Sequence, residues 1–344
     1  MSRAHACLLA LAALLALAGG CGGDPEDEGR SASGESPRLF LAGDGELWAV
    51  DVSEKRVQHV ELPELSPGDP PHRIVRRGDR LVLWGYTTYA LDPGLEDGPR
   101  TIARDSWIFI PSAHENRVWV GFLDPESPET ERALRALREV TADGEVTVPD
   151  VRPPGGAWPE LALDAGLLFY AEHSEDGHLI EVWDPEAQRV VDRFSDAEIG
   201  NLGPAHGDVL ASCLEPCDEL RLTDVTEDTA RSIPAPSGLV FDVWEAEFSP
   251  GGELIAVPAH TRGDGDGDRQ LALVDIAAGA ATIIEGSTVP DGYNLVAWSA
   301  SGQYVFLTGE EAFRDRVIVG YRLGDASAER LAVDVGAFFG MVAQ

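Results

Sequence analysis

Residues 248–257 read FSPGGELIAV, and residues 298–307 read WSASGQYVFL. Phe248 corresponds to Trp298, Ser249 to Ser299 and Gly252 to Gly302, and an apolar run of strand length follows each turn. Two turns built alike and set 50 residues apart raise the question of whether the whole chain repeats.

The chain does repeat. Seven times an apolar strand ends on an aspartate in a polar turn and resumes as a second strand. The aspartates are Asp51, Asp92, Asp143, Asp184, Asp224, Asp275 and Asp325, with successive gaps of 41, 51, 41, 40, 51 and 50 residues. A further pair of strands is legible ahead of most copies, as in DRLVLWG before YALD and GELIAVPAH before LALVD. Four strands in 40–50 residues is the length of one propeller blade. A blade cannot bury both its faces alone, so the blades must stack and the ring must close. The first unit is short, and the apolar C-terminal run AFFGMVAQ, residues 337–344, is expected to supply its missing strand. The predicted fold is all-β: a seven-bladed β-propeller of four-stranded antiparallel blades over residues 38–344. The exception is ETERALRALREV, residues 129–140, whose spacing predicts a helical turn leading into a strand.

The turns at Ser249 and Ser299 resemble those of the WD-type and Tol-type (PD40-like) bacterial propellers, which carry an aromatic-Ser-Pro-Asp-Gly phrase at this point. The resemblance implies the same ring of blades. It also implies a role like that of Tol-type propellers and the outer-membrane assembly lipoprotein, which act as scaffolds for protein partners.

The N-terminus gives an address. Residues 1–20, MSRAHACLLALAALLALAGG, combine one arginine, a short apolar run and small residues, the layout of a secretory signal peptide. The AGGC ending on Cys21 resembles the bacterial lipobox, with Ala18 where Leu is usual, and implies lipidation of Cys21. Residues 22–37 contain no residue able to seed a core and read as a flexible acidic tether. The expected product is exported and held by its lipidated N-terminal Cys, with its domain facing the periplasm or the cell exterior.

A formal charge of −34 excludes a nucleic-acid binder, because such binding rests on Lys and Arg meeting phosphates. It also excludes a basic membrane-surface module, so membrane contact is expected only through the anchor. Cys213 and Cys217 flank a three-residue loop containing Pro216, close enough for a disulfide across a hairpin in an oxidising compartment. Asp264, Asp266 and Asp268 alternate as do the first ligands of a calcium loop, but Arg269 stands where that loop needs glycine. Calcium is therefore the one cofactor weighed, against a solvated acidic tip.

In a propeller, the loops leading into the innermost strands ring one face of the central channel. Those segments contribute His72, Arg73, Trp158, Glu160, His206, Glu245, Tyr293 and Asn294 as candidate ligand-binding residues. Trp107 and Trp244 are expected to be buried between blades. No nucleophile elbow, phosphate-cradling glycine loop or zinc-protease helix occurs in the sequence. The expected function is a monomeric, non-catalytic scaffold for a protein or peptide partner in the cell envelope. The alternative is a lactonase- or hydrolase-like propeller using a divalent cation with Glu160, Asp242, Glu245 and Asn294.

Overall fold

A computed structural model describes residues 36–344 apart from 44–45, 61–72, 124–133, 175–176, 196–198, 266, 293 and 313–314. The described chain forms seven antiparallel sheets in sequence order, each paired as a meander from innermost to outermost strand. Blades 2, 3, 4, 5 and 7 open with innermost strands Arg73–Arg77, Ile108–Pro111, Pro159–Leu163, Asn201–His206 and Val296–Trp298. The core is distributed, with side chains of successive blades interleaving, as where Ile108, Trp119 and Leu137 of blade 3 meet Leu167, Phe169 and Trp183 of blade 4. The fold is the predicted seven-bladed, all-β propeller.

The repeated phrases have a local cause. Ser249 and Ser299 each accept, through Oγ, the backbone N–H five residues on, Leu254 at 3.1 Å and Tyr304 at 3.0 Å. Gly252 and Gly302 close these turns at φ of 76° and 66°, a region that side-chain-bearing residues rarely adopt. The aromatic ahead of each serine ties its blade to the one before: Phe248 lies 5.7 Å from the His206 ring, and Trp298 donates its indole N–H to the Glu247 carbonyl at 3.0 Å. Five of the repeated aspartates, Asp51, Asp92, Asp184, Asp224 and Asp275, accept backbone N–H groups at the hairpin between third and outermost strands. Asp184 accepts the Glu186 and Ala187 N–H groups, and Asp224 those of Thr226 and Glu227.

Blade 1 takes its innermost strand from Gly340–Ala343, which pairs antiparallel with Arg38–Gly43 in the register Leu39↔Ala343 and Leu41↔Met341. Gly43 is obligatory at this clasp, because a Cβ there would come within 2.4 Å of the Ala337 carbonyl oxygen. Cys213 and Cys217 form a disulfide, with Cα atoms 5.0 Å apart, at the hairpin between the second and third strands of blade 5.

Three strands have features that the repeat did not announce. Within 129–140 the strand begins already at Leu134 and runs to Thr141, its bulged ladder placing Leu134, Ala136, Leu137 and Val140 inside, while residues 129–133 lie outside the described residues. In blade 5 the innermost strand is NLGPAH, residues 201–206. Pro204 reads as a loop residue but is tolerated because an innermost strand is a sheet edge, where no neighbour needs its N–H. Blade 6 has a divided innermost strand, Leu239–Phe241 and Glu247–Phe248, separated by the 3-10 turn Val243–Glu245.

Candidate functional site

The divided strand of blade 6 shapes the channel. Val243 is buried in the core shared by blades 5 and 6, which fixes the turn. Trp244 is then turned outward and is 60% exposed, contrary to the expectation that it would be buried. Glu245 and Glu247 follow it. Opposite, the innermost strand of blade 2 alternates, with Ile74 buried against blade 1 and Arg73 and Arg77 on the other side of the strand.

The electrostatics place these four groups in one space. Arg73 feels Glu245 and Glu247, and Glu247 feels both Arg73 and Arg77. Blades 2 and 6 are not neighbours in the ring, so this interaction crosses the channel. The groups lie apart: among the described residues neither arginine makes a hydrogen bond or an ion pair, and the Glu247 carboxylate accepts the Trp298 N–H at 3.2 Å. The Arg77 Nε is closed off from solvent with no acceptor.

Water reaches these side chains along the channel, but protein surrounds them and strips their bulk hydration. Burial pushes Glu247 up to about 8, against the pull of the Trp298 N–H and the two arginines. Burial and the neighbouring Asp242 carboxylate push Glu245 up to about 7, against Arg73. Burial lowers both arginines, Arg77 to about 10 with help from Arg73. Glu160, the bulged residue of the blade 4 innermost strand, is raised by burial too.

A stability effect follows. The native state takes up the Glu247 proton near pH 8, whereas an unperturbed glutamate does so near its ordinary value of 4.5. Between these limits the folded chain holds more protons than the unfolded one, so this group makes stability fall as pH rises. Glu247→Gln keeps the acceptor for Trp298. It is expected to raise Tm by a few degrees at pH 8.5, on the order of 2 kcal/mol, and to change little at pH 4.5. Thermal melts across that range check it.

The other candidates scatter. Trp158, 38% exposed, stands beside Glu160 at the channel mouth. Tyr86, in a blade 2 hairpin, meets edge-on at 4.8 Å the ring of Trp107, which leads into the blade 3 innermost strand and is half-buried rather than buried as expected. His206 lies at the opposite end of its strand, against Phe248. Asn294 is buried and donates its amide to the carbonyls of Pro290 and Thr308 at 3.1 and 2.8 Å. His72, Tyr293 and Asp266 lie outside the described residues, as does Cys21.

Asp264 and Asp268 are exposed at a hairpin tip of blade 6. Arg269 turns back into that tip, donating to the carbonyls of Gly267 at 2.5 Å and Gly265 at 2.9 Å. Its guanidinium also meets Asp242 at 3.3 Å and Asp291 at 3.0 Å. Beside it, burial and this cation hold His260 below its ordinary value.

Sequence reading missed Arg77 and Glu247. Arg77 sits in RRGD, which reads as a turn, and Glu247 precedes the FSPGG motif as an ordinary strand residue. Glu247 lies between Ala246 and Phe248, an alternation that was the available signal, whereas Arg77 lies between Arg76 and Gly78 and offered none.

No family model and no curated protein matches this chain. Solved structures do. A puromycin hydrolase matches with TM-score 0.55 at 15% identity, over 88% of this chain and 52% of its own. A putative 6-phosphogluconolactonase from Bacteroides fragilis matches at 0.53 and 9%, over 91% of this chain and 99% of its own. TolB from Acinetobacter baumannii matches at 0.49 and 14%, over 91% and 84%. At such identities the likeness is one of fold, and this chain shares the propeller fold with proteins of divergent activity.

Proposed function

We propose that this propeller is a binding module outside the cytoplasmic membrane, lipid-anchored through Cys21, that receives a segment of a protein partner at the mouth of its channel. The observation that carries this reading is the mouth itself. Trp158 and the Tyr86–Trp107 pair present partly exposed rings around a channel whose charged groups are partly desolvated and not paired with one another. Rigid aromatic rings give contact area at low entropic cost, and desolvated charges without partners give specificity. The acidic exterior serves solubility.

The test is site-specific photo-crosslinking in intact cells, with a photoreactive residue replacing Tyr86 or Trp158 at the mouth, or Arg231 on the outermost strand of blade 5 as a control. A discrete adduct from both mouth positions and none from Arg231 is expected. Trp158→Ala should weaken capture by roughly tenfold. Equal adducts from all three positions, or none from the mouth, would overturn the reading.

A second reading rests on the raised carboxylates Glu160, Glu245 and Glu247, which suit general-acid work on a lactone or similar ester. Turnover of a lactone panel, with and without calcium, that Glu245→Gln abolishes would favour it over the scaffold.

A further inference from the structure

We propose that the channel holds an oxyanion site, in which Arg73 and Arg77 grip a carboxylate or phosphate group borne by the occupant of the channel. The inference rests on the binding reading above and adds the chemistry of the ligand.

The geometry comes first. Arg73 and Arg77 stand on the same side of one short strand, four residues apart, and their charges act into the channel. Among the described residues neither guanidinium has a hydrogen-bonding acceptor, and Arg77 Nε is sealed from water without one. A buried donor with no acceptor costs about 1–3 kcal/mol, so an arrangement that keeps one asks to be completed. A guanidinium offers a planar fork that fits carboxylate and phosphate oxygens in pairs.

The charge balance points the same way. Glu245 and Glu247 face these arginines, with Asp242 beside Glu245 and Glu115 near Arg77. Glu247 is mostly protonated and Glu245 partly so at neutral pH, as the burial that raises them dictates. Arginine keeps its proton there in any environment a protein offers. The channel thus sets two fixed cations, Arg73 and Arg77, beside a mostly neutral Glu247, inside a chain of net charge −34. That contrast confines anion binding to the channel, since the acidic exterior repels anions elsewhere. A neutral Glu247 also offers an O–H donor to the same anion.

The test is calorimetric titration of the full-length protein in detergent at pH 7 and low ionic strength. The probes are inorganic phosphate, acetate, and a tetrapeptide with either a free or an amidated C-terminus. Saturable binding of at least one anion is expected, weakened roughly tenfold or more by Arg77→Gln and by Arg73→Gln, and restored in part by Arg77→Lys. Binding of the free tetrapeptide but not its amide identifies a peptide carboxylate as the source. Binding of phosphate with no response to either peptide identifies a phosphate. Both support the site. No binding by any anion, or binding unchanged in the Arg73→Gln/Arg77→Gln double variant with its circular dichroism intact, would overturn it. Mouth crosslinking that persists in that double variant would leave the binding reading standing while the oxyanion site falls. Loss of crosslinking at the mouth of the unmutated protein fails that reading alone.

Discussion

Truncation after Phe339 is expected to abolish the cooperative fold. The lost strand, Gly340–Ala343, completes blade 1, and its Met341 and Ala343 are buried against Leu39, Leu41, Trp48 and Phe338. Without it Leu39 and Leu41, now fully buried, face the channel, and the ring opens at the seam between its first and last blades. The lost methionine alone is worth about 2–5 kcal/mol, before the backbone ladder is counted. The total is a large share of the roughly 5–15 kcal/mol that stabilises an ordinary domain. Phe338 itself is held independently, by an Arg316 guanidinium 5.4 Å over its ring and a 3.1 Å hydrogen bond to its carbonyl. A chain ending at Phe339 should therefore show β-structure by circular dichroism but no sharp melting transition. A sharp transition within about 5 °C of the full-length Tm would show that the clasp is dispensable.

The second large effect is at Arg269. This buried guanidinium satisfies two carboxylates and two loop carbonyls at once, joining blade 6, its hairpin tip and the loop leading into blade 7. Arg269→Ala leaves Asp242 and Asp291 facing a cavity with no cation between them. Breaking a buried pair in this way costs about 3–5 kcal/mol, which for a chain of this size lowers Tm by roughly 5–15 °C. Arg269→Lys keeps the charge but not the fork, and should recover only part of the loss. A melt of Arg269→Ala indistinguishable from that of the parent would show that the cluster is solvated and contributes little.

The two turns at Ser249 and Ser299 carried the fold because a serine that caps a backbone N–H and a glycine at positive φ are both visible as letters. The capping aspartates between third and outermost strands are visible for the same reason, and their spacing counts the blades. Cys213 and Cys217 were legible because a three-residue loop leaves their side chains little choice. The channel was far less so. Its walls come from innermost strands of different blades, and no local pattern reports which residues of distant repeats meet across the axis. Arg73 and Glu245 were identified as candidates because they lead into strands, whereas Arg77 and Glu247 sit within the strands. Trp244 was misplaced because size argues for burial, but the adjacent Val243 takes the buried position and turns the ring outward. His206 was placed at the mouth because Pro204 masked the strand that carries it to the other end.

The clasp has a mechanical consequence. Arg38 and Gln344 exchange backbone hydrogen bonds, 2.9 Å in one direction and 3.3 Å in the other, so Arg38 lies at the closing seam of the ring. The strand Arg38–Gly43 lies between two others, Gly340–Ala343 and Glu46–Asp51, and is hydrogen-bonded along both edges. Tension arriving through residues before Arg38 therefore loads both ladders in shear, with many bonds sharing the force, rather than unzipping them one by one. A propeller pulled from this end resists at the joint where its ring would otherwise open first.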